Sequence, residues 1–176
     1  GGAIVTALAS LGDGPFLALN GDILTDLDLT AMVAFHRERG AAATIALTRV
    51  GDARPFGLVE TETDRRVLAF REKPTEPIPG DVNAGTYVLD PAALGAWRAG
   101  EAASIEREIF PGLIADGSPV YGFPSSAYWL DLGTPAQYLR AHADILDGRV
   151  STHAPGESSR VDATDRKSTR LNSSHV

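Results

Sequence analysis

The apolar run Phe16-Leu17-Ala18-Leu19 ends abruptly at Asn20-Gly21-Asp22. A short apolar run closed by an amide, a glycine and an acid suits a buried parallel strand whose C-terminal end turns toward a crevice, with Asp22 at its mouth. Asp28 then caps a helix in which Leu29, Met32 and Val33 share one face, Gly40 stops it, and residues 43–48 read as the next strand. A strand-helix-strand unit commits the chain to an α/β architecture, with ligands expected at the carboxyl ends of the strands.

Residues 57–62 and 67–72 read as two strands joined around Thr63-Asp64-Arg65, and 85–89 as another. Strands that follow one another without a helix predict a small antiparallel insertion in the mixed sheet. Residues 91–97 and 105–115 are expected to be helical, the second entered through Ser104 with Glu106 and Glu108 near its positive end. Residues 120–123 return as a strand. The last helix carries Thr134 as N-cap, Pro135 at its first position and Gln137 completing a capping box, with Tyr138, Leu139, His142, Ile145 and Leu146 on one side and Gly148 at its end.

The folded part is thus expected over 1–148, and the Ser-, Gly- and Pro-rich stretch 149–164 reads as a linker. From 165 to 176 the sequence resembles the translation of a sequencing adapter, not protein-coding sequence, which removes His175 from functional consideration. Neither an initiator methionine nor a charged start followed by an apolar stretch opens the chain, so its beginning is taken to be missing.

A formal net charge of −7 without a basic run argues against nucleic-acid binding. The absence of cysteine excludes disulfides and thiolate chemistry and fits the cytoplasm. No apolar run is long enough to span a bilayer. The four histidines are dispersed, without a zinc spacing.

Asp22 and Asp131 each follow a short apolar or aromatic run, and paired carboxylates with phosphate oxygens are how Mg²⁺ is usually held. Taken singly, Asp22 closing a turn and Asp131 supporting the next helix cap serve as well. Glu72-Lys73-Pro74 joins an acceptor suited to sugar hydroxyls with an ammonium suited to phosphate, or is simply an exposed strand ending. Asn83-Ala84-Gly85 opens a strand where an amide can meet a hydroxyl, or serves the turn. Asp26-Leu27-Asp28 imitates a glycosyltransferase metal motif but leads into a helix, and is read as capping.

In order, Asn20-Gly21-Asp22, Phe56-Gly57-Leu58-Val59, Phe70-Arg71-Glu72-Lys73-Pro74, Asn83-Ala84-Gly85-Thr86-Tyr87 and Trp129-Leu130-Asp131-Leu132-Gly133-Thr134-Pro135 resemble the sugar-1-phosphate nucleotidyltransferase family. Ser104-Ile105-Glu106-Arg107-Glu108-Ile109-Phe110-Pro111 resembles the guanylyltransferase branch, with the thymidylyltransferases as close competitor. The resemblance implies a Rossmann-like, GT-A-type mixed sheet flanked by helices. It implies that Asp22 and Asp131 bind the catalytic Mg²⁺, that Glu72 and Asn83 hold sugar hydroxyls, that Gly57 offers backbone contacts to the sugar and that Lys73 meets its phosphate, while Trp129 packs the site wall. The implied partners are an NTP, GTP first, and a sugar 1-phosphate, most specifically mannose 1-phosphate; a homo-oligomer is left open.

By the same resemblance, a glycine-rich phosphate loop should precede Gly1, and without it this polypeptide is expected to be inactive. A glycosyltransferase of related fold and a non-catalytic sugar-phosphate-binding module are the competing readings.

Overall fold

The computed structural model describes residues 1–71 and 74–151, and Glu72, Lys73 and residues 152–176 lie outside it. Helix α1 (Gly2–Ala7) is followed by strands β1 (Phe16–Leu19) and β2 (Ile23–Thr25), helix α2 (Leu29–Glu38) and strands β3 (Ala43–Val50), β4 (Leu58–Thr61), β5 (Val67–Arg71) and β6 (Gly80–Leu89). Helix α3 (Phe110–Ala115), strands β7 (Val120–Ser125) and β8 (Trp129–Asp131) and helix α4 (Pro135–Leu146) complete the described part. The central sheet runs β1-β6-β3-β7, and β2-β8 and β4-β5 form two-stranded ribbons. The architecture is α/β with a mixed sheet and flanking helices, as expected.

Strand β3 reads as a nearly unbroken apolar run because both of its faces are covered. Ile45 and Leu47 join Tyr87, Leu89, Phe110 and Val120 in the larger core, while Ala46 turns to the other face and packs with Met32, Ala84 and Val88. The α2 cap is as expected, with the Asp28 carboxylate accepting the Ala31 N–H at 2.9 Å and Gly40 at a φ of 52° beyond the helix end.

Four expectations are corrected. Among the described residues strand β1 has one neighbour, β6, which runs antiparallel and not parallel to it, and Leu17 and Leu19 on its outer face are exposed and not buried. β1 and β3 do run parallel, but as the two flanks of β6 rather than as a pair. The helical segment after Ser104 begins as a five-residue π-turn, Ile105–Ile109, and becomes α-helical only from Phe110. Residues 91–97 shrink to a 3₁₀ turn, Pro91–Leu94, capped by Asp90. Asp26 does not cap a helix; its carboxylate accepts the N–H groups of Tyr128 and Ser151, tying the end of the described chain to the start of β8.

Helix α4 has the expected cap, the Thr134 hydroxyl accepting the Gln137 N–H at 3.2 Å. Its apolar side, however, is the outer one: Leu139 and Leu146 are about 70% exposed, and the inner side carries Ala141 and the buried Asp144. Asp144 accepts from the Tyr128 hydroxyl at 2.6 Å and from Arg140 and Arg149. That hydrogen bond, aided by the two guanidinium groups, holds its carboxyl below the ordinary value of 3.8. Burial lowers His36, bonded to Thr44, below 6.5.

Both groups bind protons less readily folded than unfolded, so each contributes stability that is complete above its unfolded pKa and is lost as pH falls through its folded one. Thermal unfolding followed from pH 8 downward is expected to show a first decline below 6.5 from His36 and a second below 3.8 from Asp144. Asp144→Asn is expected to flatten the second. Among the described residues no helix is long and apolar enough to cross a membrane.

Candidate active site

The site begins with an irregularity in β6. Ile45 pairs with Tyr87 but Leu47 pairs with Asn83, so β6 carries two more residues than β3 across that interval. A bulge of this kind bends the strand and re-aims side chains. Gly85 lies within it at a φ of 73°, and a Cβ there would stand 2.8 Å from Asn20 Nδ2. The left-handed backbone and the close neighbour both require glycine.

The bulge sets the Asn83 amide at the common wall of two cavities, of about 330 and 190 Å³, which share Phe56, Asn83 and Glu106. The larger runs beneath the β4-β5 hairpin, past Gly57, Phe70 and Arg107. The smaller is closed by Asn20, Ile23, Gly85, Trp129 and Asp131. Trp129 donates its indole N–H to the Ala84 carbonyl at 3.0 Å and meets Phe56 edge to face, so it does form a wall.

Asp131 and Asp22 arrive on the β2-β8 ribbon. Ile23 pairs with Asp131, and the Leu132 N–H donates to the Asp22 carbonyl at 2.8 Å, which brings the two acids to the same end of that ladder. Asp131 lines the smaller cavity, with one carboxylate oxygen accepting the Gly133 N–H at 2.7 Å. Asp22 does not line either cavity. Among the described residues no three acidic or imidazole groups cluster as a metal cage. Two carboxylates with oxygen donors alone fit a hard cation completed by substrate oxygens and water, which is the usual Mg²⁺ arrangement.

Of the remaining expected residues, Gly57 lies in the larger cavity at a φ of 75°, its N–H already given to the Ala53 carbonyl at 3.0 Å. A ligand contact there falls to its carbonyl or α-carbon. Asn83 donates from Nδ2 to Tyr87 Oη at 2.9 Å and to Glu106 Oε1 at 2.5 Å, and accepts the Gly85 N–H on Oδ1 at 3.0 Å. Its capacity toward a ligand is the second lone pair of Oδ1. Glu72 and Lys73 fall outside the described residues. The sequence presents Glu106 only as a charge favouring a helix N-terminus, whereas on the π-turn it lines both cavities and accepts from Asn83.

A nucleotidyl transferase family model matches residues 1–148. The chain is 40% identical over 149 residues to a mannose-1-phosphate guanylyltransferase of Mycobacterium tuberculosis, covering 84% of this chain and 42% of that protein. To a UTP–glucose-1-phosphate uridylyltransferase of Synechocystis it is 33% identical over 149 residues, covering 82% and 38% respectively. The chain therefore spans about two fifths of the length of these relatives. Among solved structures, HddC from Yersinia pseudotuberculosis superposes with a TM-score of 0.71 at 24% identity, over 82% of this chain and 61% of that one, a likeness of fold.

Proposed function

The chain belongs to the nucleotidyl transferase family, and from that premise we propose that it is part of an enzyme that transfers a nucleotidyl group from an NTP to a sugar 1-phosphate, with GTP and mannose 1-phosphate as its preferred pair. The observation that carries this reading is the convergence of Asp131 with the Asn83–Glu106 pair on one cavity, with Asp22 at the same ladder end. The preference for guanosine and mannose rests on the 40% identity to the M. tuberculosis protein, against 33% to the uridylyltransferase.

In the proposed reaction a phosphate oxygen of the sugar 1-phosphate bonds to the α-phosphorus of the NTP, and the bond from that phosphorus to the β-phosphate oxygen breaks, releasing pyrophosphate. Neither a protein nucleophile nor an acid-base pair is required. Two anions must be brought in line and neutralised, which is catalysis by positioning and charge. Asp22 and Asp131 would hold Mg²⁺, which when bound neutralises developing charge on the phosphoryl oxygens. Lys73 would meet the sugar phosphate. Glu72 and Asn83 Oδ1 would accept from sugar hydroxyls, and Gly57 would let the ring approach the backbone. The setting proposed is a cytoplasmic protein.

The test is product formation by the protein expressed from its complete reading frame, with Mg²⁺, each of GTP, UTP, dTTP and ATP, and mannose or glucose 1-phosphate. GDP-mannose is expected to form with the highest kcat/KM. Faster formation of UDP-glucose or dTDP-glucose would move base and sugar to the alternative, and no NDP-sugar from any pair would overturn the reading.

A further inference from the structure

Tyr87 is 2% exposed, with its ring in the core 5.3 Å from that of Phe110. Tyr87 lines neither cavity, yet its hydroxyl is bonded to a residue that lines both. Burial pushes the phenol up to about 12, so it remains a neutral hydroxyl at physiological pH.

The Asn83 amide has two hydrogens, one given to Tyr87 Oη and the other to Glu106 Oε1. Its oxygen takes the Gly85 N–H. Rotating the amide by half a turn would set its oxygen against a carboxylate and its NH₂ against an N–H donor, so only one orientation satisfies all three partners. Glu106 stands on an exposed π-turn with a carboxylate that would otherwise sample several rotamers. Glu106 and the Gly85 N–H decide which way the amide faces, and Tyr87 Oη, from inside the core, anchors its NH₂, so the bond from Asn83 holds that negative charge at the wall between the cavities.

We infer that Tyr87 is a positioning residue for the sugar pocket: its hydroxyl anchors the Asn83 amide, which in turn fixes the Glu106 carboxylate, so that sugar discrimination depends on a group the sugar never touches. This rests on the reaction proposed above and assigns a specificity device within that site. An acceptor held rigidly can tell an equatorial from an axial hydroxyl, because the wrong epimer does not bring a hydroxyl within reach of the fixed carboxylate oxygen. A mobile carboxylate follows either epimer.

The experiment is steady-state kinetics of the intact protein with GTP and either mannose 1-phosphate or glucose 1-phosphate, together with thermal unfolding. Tyr87→Phe keeps the ring in the core and removes only the hydroxyl. It is expected to raise KM for the preferred sugar 1-phosphate about tenfold and to reduce the ratio of kcat/KM between the two sugars by a similar factor, with KM for GTP within about twofold of the parent. Glu106→Gln retains an oxygen for Asn83 and presents NH₂ to the pocket, and is expected to shift the sugar ratio without shifting the unfolding temperature. A Tyr87→Phe protein that is less stable but unchanged in both sugar parameters would overturn the inference. Should that variant fail to fold, an unchanged sugar ratio in Glu106→Gln overturns it equally. A parent protein that uses neither sugar 1-phosphate contradicts the reaction itself, whereas an active parent with indifferent variants contradicts only the positioning role.

Discussion

Replacing Asp131 by asparagine is expected to lower nucleotidyl transfer by about a thousandfold or more while leaving the fold intact. The amide keeps the size of the side chain, and its oxygen can still accept the Gly133 N–H that Asp131 now accepts at 2.7 Å. What it removes is the negative charge, and with it one of two carboxylates proposed to hold the cation. Loss of a metal's charge stabilisation is worth several kcal/mol in the transition state, and about 4 kcal/mol corresponds to the stated factor. Asp22→Asn, at the same end of the β2-β8 ladder, is expected to behave alike. Parallel measurement of kcat/KM and of the unfolding temperature separates this from damage to the ribbon. A rate within about threefold of the parent, with the fold retained, would show that the carboxylate does not hold the cation.

Phe110→Ala is expected to destabilise the protein by about 3–5 kcal/mol, the usual range for removing a fully buried aromatic ring. Phe110 is 0% exposed, stacks on Phe70 with centroids 5.6 Å apart and lies 5.3 Å from the ring of Tyr87. It joins the central sheet, the β4-β5 hairpin and the π-turn that carries Glu106, so the cavity left behind lies directly beneath the site. The unfolding temperature should fall by on the order of 10 °C for a domain of this size. Urea unfolding gives the free energy directly, and a loss below about 1 kcal/mol would contradict the packing described here.

Features set by neighbours in the chain were legible in the sequence. The caps at Asp28, Ser104 and Thr134 follow from a side chain meeting an N–H within three residues, and each of those bonds forms, although Gln137 Oε1 accepts from the Thr134 hydroxyl and not from the backbone N–H that a capping box implies. Partners distant in sequence were not legible. Nothing in Phe16-Leu17-Ala18-Leu19 says that its neighbour will be an antiparallel β6, because an apolar run reports burial without direction. The stripe on α4 shows the same limit: periodicity identifies an apolar side, but only the fold shows that among the described residues this side faces outward and that Asp144 takes the inner one. A buried acid on that helix requires Tyr128 and Arg149, which the period cannot supply.

The site divides along the same line. Asp22, Gly57, Asn83 and Asp131 were marked from short motifs, and the structure brings Gly57, Asn83 and Asp131 onto two adjoining cavities with Asp22 at the ladder end beside Asp131. Their roles remain those proposed above. Glu106 was missed because it lies 23 residues from its hydrogen-bond partner and on a turn whose sequence reads as ordinary helix. Tyr87 was missed because a buried tyrosine in a strand is ordinarily core. Only the bulge in β6, signalled in sequence by no more than Gly85, sets Asn83 against both of them.

The most direct test of the reaction class is the fate of the phosphates when the intact protein is given mannose 1-phosphate, Mg²⁺ and GTP labelled with ³²P at either the α or the γ position. The α label is expected to enter the sugar nucleotide and the γ label to leave as pyrophosphate, in equal amounts. Transfer of the γ label to the sugar, or binding of mannose 1-phosphate with no movement of either label, would contradict nucleotidyl transfer.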